Sequence, residues 1–238
     1  MPRARIASDL DDTLISTSPL YHQAIWTCGE IIHRVLGSAS PYPIKVLDLQ
    51  REIDLELMKE YDYNPERFPR SWELTYRRLA VDAGQVVDDD VVELLLDVAR
   101  RFKQGPFTPT AGVIETLNQL QREGHELFCV TGGCQAEELQ HRKLRDSGLD
   151  KYFPDLIITD GDKTPALRKL FQGVSRTVMV GDSLDHDILP ALAVGAIGVL
   201  VRSQSWTSYR PASELDPSQY HVIKTLTELP ALLATFWK

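Results

Sequence analysis

Hydrophobic positions along the chain keep two different rhythms, and the change between them falls near Pro106. Before it the spacing is helical. Ala24, Ile25, Cys28, Ile31, Ile32, Val35 and Leu36 share one face, with Ser18-Pro19 ahead of them as N-cap and first-turn residue and Gly37 behind them as a stop. A second helix is predicted over Val46 to Tyr61, with Leu49, Ile53, Leu57 and Met58 on one face. A third begins near Ser71-Trp72 and runs towards Gly84. A fourth starts at Asp90, where Glu93 completes a capping box, and stops at Gly105-Pro106.

After Pro106 short helices alternate with short apolar runs. Helices are predicted over Thr110 to Arg122, about Gln135 to Asp146, Pro165 to Phe171, and near Asp187 to Val194. Glu126 to Thr131, Leu156 to Thr159, Thr177 to Val180 and Gly198 to Val201 read as strands, apolar and β-branched as strands covered on both faces are. The alternation predicts an α/β fold, a Rossmann-like parallel sheet core with helices on both faces. One further strand, Arg5 to Ser8, has no helix-strand partner nearby and must join the same sheet. The all-helical stretch, residues 16–105, is then an insertion, and residues 1–15 and 106–238 form the core.

Composition narrows what such a fold binds. Lys and Arg total 26 against 34 Asp and Glu among 238 residues, a net charge of −8. That balance argues against a nucleic-acid partner, which calls for a basic stripe, and against a polybasic membrane anchor. No run approaches the roughly 18 apolar residues of a membrane span. The two arginines of the first residues have no apolar stretch behind them, so no secretory signal is read there. Cys28, Cys129 and Cys134 are too few for a stapled secreted scaffold. A cytoplasmic protein with a small-molecule partner is expected. Cys129 lies in an apolar run and reads as buried, whereas Cys134 follows a Gly pair and reads as more exposed.

Ligands of a doubly wound sheet sit at the carboxyl ends of its strands. The first strand ends in Asp9-Leu10-Asp11-Asp12-Thr13, the second in Thr131-Gly132-Gly133. The third leads into Asp160-Gly161-Asp162-Lys163, and the fourth into Gly181-Asp182-Ser183, with Asp185 and Asp187 behind. Carboxylates brought this close repel one another, and a hard divalent cation relieves the repulsion; all-oxygen ligands suit Mg2+. The Thr131 hydroxyl, the Lys163 ammonium and exposed backbone N–H groups suit phosphate oxygens. His186 reads as a surface residue, since a hard oxygen site has no need of imidazole, and Asp185 as a surface or N-cap residue.

Taken in order, these strand-end motifs resemble the haloacid dehalogenase-like (HAD) hydrolase superfamily, whose helical cap is inserted after the first strand. The resemblance implies that Asp9 is the nucleophile that becomes an aspartyl phosphate. Asp11 protonates the leaving oxygen and then deprotonates water. Mg2+ is held by Asp9, the Asp11 carbonyl and Asp182, with Asp187 supporting Lys163 or a metal-bound water. Thr131 and the Gly132 amide bind phosphate oxygens, Lys163 neutralises charge, and Thr13 orients the loop. Asp11 favours phosphate esters over carbon–halogen bonds, because an alkoxide needs a proton to leave and a halide does not.

Two departures stand out. Asp12 occupies a position where many relatives carry Gly. The third motif reads Lys163-Thr164-Pro165 where many relatives place Pro directly after Lys, which keeps Lys169 and Lys143 as other candidates for the phosphate-neutralising lysine. The expected activity is that of a magnesium-dependent phosphatase acting on a small phosphorylated metabolite. A phosphomutase and a phosphorylatable regulatory or binding module without turnover are the alternatives. Aromatic residues of the insertion such as Tyr21, Trp72 and Tyr76 read as packing residues.

Overall fold

Strand β1 (Arg5–Ser8) opens the chain of the computed structural model, which describes residues 3–61, 64–133, 136–202 and 216–237. Cys134 lies outside the described residues. A two-residue strand β2 (Ile15–Ser16) leads into four helices: α1 (Ser18–Leu36), α2 (Pro43–Tyr61), α3 (Arg67–Asp82) and α4 (Asp89–Arg100). The chain returns through β3 (Thr108–Pro109) and then alternates: α5 (Val113–Arg122), β4 (Glu126–Gly132), α6 (Glu137–Asp146), β5 (Leu156–Thr159), α7 (Thr164–Phe171) and β6 (Thr177–Gly181). It ends with α8 (Leu189–Ala193), β7 (Ile197–Val201), β8 (His221–Ile223) and α9 (Leu229–Phe236).

Contacts divide the chain into one unit of Met1–Ser18 with Pro106–Lys238 and a second of Pro19–Gly105. In the first unit a parallel sheet has the order β5-β4-β1-β6-β7-β8. The register is continuous across its centre: Ala7 of β1 pairs with Phe128 on one side and Met179 on the other. Helices cover both faces, as the doubly apolar strands require. On one face Leu167 and Phe171 of α7 pack with Ala191, Ala196, Ala7, Val130 and Met179. The cluster mixes small and large apolar side chains, as close packing of such a layer requires.

Elements outside the expected set include β2, β3, β8 and α9. β2 and β3 pair antiparallel where the chain leaves this unit and returns to it, Ile15 opposite Pro109 and Ser16 opposite Thr108. Thr110 fastens the same place, its N–H donating to Leu14 O at 2.9 Å and its hydroxyl to Thr13 O at 2.9 Å. A two-residue strand carries no periodicity, so such a ribbon is invisible in the pattern. β8, a three-residue edge strand, escapes for the same reason.

The start of α1 also differs from expectation. Its capping oxygen belongs to Asp12: Oδ1 accepts from the N–H of Thr17 at 3.0 Å and of Ser18 at 2.8 Å, and Oδ2 accepts from the Ser18 hydroxyl at 2.7 Å. Asp12 has φ 54°, the left-handed region that Gly enters freely and that Asp tolerates better than most residues. That backbone explains why Gly is at home at this position, and the three hydrogen bonds explain what Asp adds. Asp12→Ala keeps the strained φ and loses the cap, and is expected to cost about 2 kcal/mol in urea unfolding. Asp12→Gly, which relieves the backbone, is expected to cost about half as much.

In the second unit the helices bury Cys28, Ile32, Trp72, Tyr76 and Leu95. Burial pushes the Cys28 thiol up to about 12, which marks it as a packing residue. Tyr21 stacks on Phe102 with ring centroids 4.4 Å apart, and Phe68 meets both edge-on. A buried polar thread runs through the same layer: Gln50 donates to the Ser71 hydroxyl at 2.8 Å, and that hydroxyl donates to Phe68 O at 2.7 Å. Helix α4 is capped two residues earlier than Asp90, by Asp88, whose Oδ1 accepts from Asp90 N at 3.0 Å. Among the described residues no helix is long and apolar enough to cross a membrane.

Candidate active site

β1 stands where the strand order turns back, with β4 and β5 on one side and β6, β7 and β8 on the other. The loops leaving neighbouring strands part at such a point, and a crevice opens beyond their carboxyl ends. Asp9 directly follows β1 and is fixed there by its N–H, which donates to Val180 O at 2.9 Å. The next strand over, β6, ends at Gly181, so Asp182 emerges beside it.

Lys163, immediately before α7, places its ammonium between two carboxylates. It donates to Asp9 Oδ1 and, at 2.6 Å, to Asp187 Oδ1. The three side chains are almost sealed from solvent, at 3% exposure for Lys163, 10% for Asp9 and 1% for Asp187. Asp187 is itself held: its Oδ2 accepts from Ser183 N at 2.9 Å. The Ser183 hydroxyl in turn accepts from His186 N at 3.2 Å and caps a π-helical turn, Leu184–Ile188. This turn replaces the first part of the helix expected near Asp187. The capping residue is Ser183, so Asp185 and His186, both half-buried, lie within the turn rather than before it.

Gly181 makes this packing possible. A Cβ at that position would lie 2.1 Å from Asp187 Cγ. Gly181→Ala is therefore expected to push Asp187 away from Lys163 and to weaken divalent-cation binding about 10- to 100-fold. Isothermal titration calorimetry checks this, and unchanged affinity would mean that Asp187 does not support the cation.

One carboxylate oxygen each from Asp9, Asp182 and Asp187 lie within 4.8 Å of one another, a set able to hold a metal ion. The donors are all oxygen, as a hard cation requires, and a single ammonium does not balance three carboxylates. Burial, foremost, raises the Asp9 carboxyl well above its ordinary range; Lys163 opposes the rise, and Asp187 and Asp182 add to it. Burial works against the Lys163 ammonium, yet Asp187 and Asp9 outweigh it and hold the group above the usual lysine range.

The other residues singled out fall on the same rim. Thr131 and Gly132 are the last two residues of β4. Thr131 is buried, and among the described residues its hydroxyl makes a long contact, 3.5 Å, to Gly132 O. Cys129, two residues back on the same strand, is buried as expected, and its thiol is pushed up chiefly by that burial. Thr13 is buried, and its carbonyl is the group that Thr110 holds.

The three candidate lysines separate clearly. Lys163 meets Asp9, and Lys169 is exposed on α7. Lys143 of α6 is paired with Asp11, its Nζ donating to Oδ1 at 2.9 Å and to Oδ2 at 2.8 Å. Gln140, one turn earlier, donates to Gly132 O at 2.9 Å and to Asp11 Oδ2 at 3.4 Å. Gln140 is a residue of the rim that no motif marks. Its signal in the sequence is faint: Gln140, Lys143, Leu144 and Ser147 fall on one helical face, and three of these four are polar where apolar residues are the rule.

Fold and site together define a doubly wound α/β domain with an acidic, metal-competent centre at its switch point and a helical insertion between β2 and β3. The family model described as haloacid dehalogenase-like hydrolase matches residues 5–195, and the related HAD-hydrolase-like model matches residues 164–229. The chain belongs to the haloacid dehalogenase-like hydrolases. It is 26% identical, over 94% of its length and 97% of the other's, to the glyceraldehyde 3-phosphate phosphatase of Methanothermobacter thermautotrophicus. It is 33% identical, over 50% of its length and 54% of the other's, to the ribulose-1,5-bisphosphate 5-phosphatase of Halopiger xanaduensis. A haloacid dehalogenase-like family hydrolase from Xanthomonas campestris shares the fold, with a TM-score of 0.72 at 19% identity over 98% of this chain and 91% of that one.

Proposed function

We propose that this hydrolase is a magnesium-dependent phosphatase that cleaves a small phosphomonoester through an aspartyl phosphate on Asp9. One observation carries the reading: two carboxyl groups, two residues apart, are given separate partners. Asp9 is buried against Lys163, within the set of three carboxylates. Asp11 remains 31% exposed and is held by another cation, Lys143. Asp9 has the metal-competent, lysine-balanced surroundings of a nucleophile, and Asp11, on the same rim but outside that set, takes the acid–base role from its place in the motif and not from its ion pair.

Asp9 attacks phosphorus while the ester bond to the leaving group breaks, and Asp11 gives its proton to the departing alkoxide. Asp11 then takes a proton from the water that hydrolyses the aspartyl phosphate. Thr131 and the Gly132 amide hold phosphate oxygens, and Lys163 balances the charge that gathers on Asp9 and the phosphoryl group. When bound to Asp9, Asp182, Asp187 and the Asp11 carbonyl, Mg2+ supplies charge neutralisation at the transferring oxygens.

The need for a proton donor at Asp11 favours esters over carbon–halogen substrates. The two relatives named for phosphatases of small sugar phosphates support the same class of substrate. The net charge of −8 disfavours nucleic acid and anionic membranes as partners. The unpaired thiols Cys28 and Cys129 accord with a cytoplasmic setting.

The test is inorganic phosphate release from a panel of small phosphomonoesters, with Mg2+ and with EDTA. Turnover that requires the cation is expected. Release unaffected by EDTA would remove the metal from the reading, and no release from any ester would remove the phosphatase. A readout independent of turnover is thermal unfolding: Mg2+ is expected to raise Tm at pH 7.5 and to raise it less as the pH falls. The sign follows from the Asp9 carboxyl. A raised folded-state pKa means that ionised Asp9 costs stability at neutral pH, that protonation removes the cost at low pH, and that the cation relieves it only where the carboxylate exists.

A further inference from the structure

Helix α2 is 19 residues long, yet of its residues only Val46 and Gln50 are buried. The side it turns to α3 is marked by Gln50, which donates to Ser71, and by Asp54, which pairs with Arg67 at 3.1 Å. On the outward side Ile44, Asp48, Arg51 and Leu55 follow at intervals of four, three and four residues, so they form one stripe along the helix. All four are exposed, Ile44 at 60%. Two aromatic residues border the stripe. Tyr42, just ahead of α2, is 81% exposed, and Trp26 of α1 is 67% exposed. Trp26 lies three residues before Gly29, where a Cβ would sit 3.7 Å from Leu47 Cδ2 of α2. Single apolar side chains on a surface need no explanation, but four gathered about one helix mark a place where something docks.

We propose that this stripe is the seam of a twofold-symmetric homodimer, in which α2 lies antiparallel against α2 of a second copy of the chain. The order of the residues names the occupant. From either end the stripe reads apolar, charged, charged, apolar, and its two charges are opposite. Laid antiparallel on itself, about an axis between Leu49 and Gln50, it sets Ile44 against Leu55 of the second copy. The same register sets Asp48 against Arg51 of the second copy, and the symmetry makes each contact twice. A parallel pairing would instead oppose Asp48 to Asp48 and Arg51 to Arg51, so the charges select the antiparallel arrangement. A partner of another sequence has no need of such self-complementarity. The alternation of four and three is that of a helix–helix seam, and Ile44 to Leu55 spans about 16 Å of it. Trp26 and Tyr42 add apolar area beside it. Asp48 does have a neighbour on its own helix, Lys45 at 3.8 Å, but both side chains are more than half exposed and such a pair is weak.

Sedimentation equilibrium of the full chain tests this, and twice the chain mass is expected at micromolar concentration. Asp48→Arg opposes arginine to arginine on both sides of the axis, and Arg51→Asp opposes aspartate to aspartate. Each is expected to raise the dissociation constant of the dimer by about a hundredfold or more. An equal mixture of the two single variants is expected to recover the dimer, because each arginine of one chain then meets an aspartate of the other. The double variant Asp48→Arg, Arg51→Asp is expected to pair with itself for the same reason. An interface elsewhere on the chain would not produce this recovery. Circular dichroism checks that the variants are folded. Asp48→Lys and Arg51→Glu, the same reversals on good helix formers, replace any variant that is not. A wild-type chain that stays monomeric at millimolar concentration leaves the stripe to a different partner and overturns the inference. Dimers that the single reversals leave intact overturn it by placing the interface elsewhere, and so does a mixture of the two single variants that stays monomeric.

Discussion

Asp9→Asn is expected to lower phosphate release by on the order of a thousandfold or more while making the metal-free protein more stable at neutral pH. The first half follows from chemistry. An amide oxygen does not attack phosphorus to leave an aspartyl phosphate, and it is a poorer ligand than a carboxylate in an all-oxygen set. The second half follows from surroundings. Asp9 is nearly sealed from solvent, with Asp187 and Asp182 beside it, and its carboxyl is raised by burial in spite of Lys163. Its ionisation therefore opposes folding at pH 7, and a neutral isostere removes that cost, while Lys163 keeps Asp187 as a partner. Urea unfolding in EDTA at pH 7.5 and at pH 5 reads the effect: the gain over wild type is expected at the higher pH and to shrink at the lower. Opposite movements of activity and stability mark a residue held for chemistry rather than for the fold. Turnover equal to wild type would show that the nucleophile lies elsewhere.

What the chain makes legible, and what it hides, follows from the range of the interactions. The strands of the sheet are readable because a strand covered on both faces must be apolar throughout, as Val178, Met179 and Val180 are. Asp9, Lys163 and Asp182 are readable because the ends of parallel strands share one rim, so short motifs far apart in sequence meet there. The ribbon of β2 with β3 is hidden because two residues have no period. The cap of α1 is hidden because Ser18 is a good capping residue by type, while the oxygen that serves comes from Asp12, whose left-handed backbone turns it back towards the helix. Lys143 is the instructive miss. Its type makes it a candidate, but nothing local tells α6 which of two aspartates, Asp9 or Asp11, it will face. That choice is made by the rotation of a helix on the sheet, set by packing and not by motif.

Lys163→Met is expected to reverse the stability result of Asp9→Asn. The ammonium sits between Asp9 and Asp187, and its removal leaves two buried carboxylates facing each other with Asp182 nearby. Removing one partner of a buried ion pair costs about 3–5 kcal/mol, chiefly because the charge left behind is unsolvated, and the methionine chain supplies packing volume but no countercharge. The loss is expected in full at pH 7.5 in EDTA. It should diminish as the pH falls, since protonation of the stranded carboxyls removes the repulsion, and diminish with Mg2+, which replaces the missing positive charge. The stabilisation by Mg2+ should accordingly be larger in this variant than in wild type, although phosphate release falls by on the order of a hundredfold through loss of charge balance at the phosphoryl group. In the double variant Asp9→Asn, Lys163→Met the stability changes should not add: neutralising Asp9 leaves Asp187 as the main stranded carboxylate, and the coupling measures what the ammonium contributes to the Asp9 side. If Lys163→Met unfolds at the wild-type urea concentration at pH 7.5 without metal, the ammonium is not what allows these carboxylates to share a buried site, and charge balance must come from the cation alone.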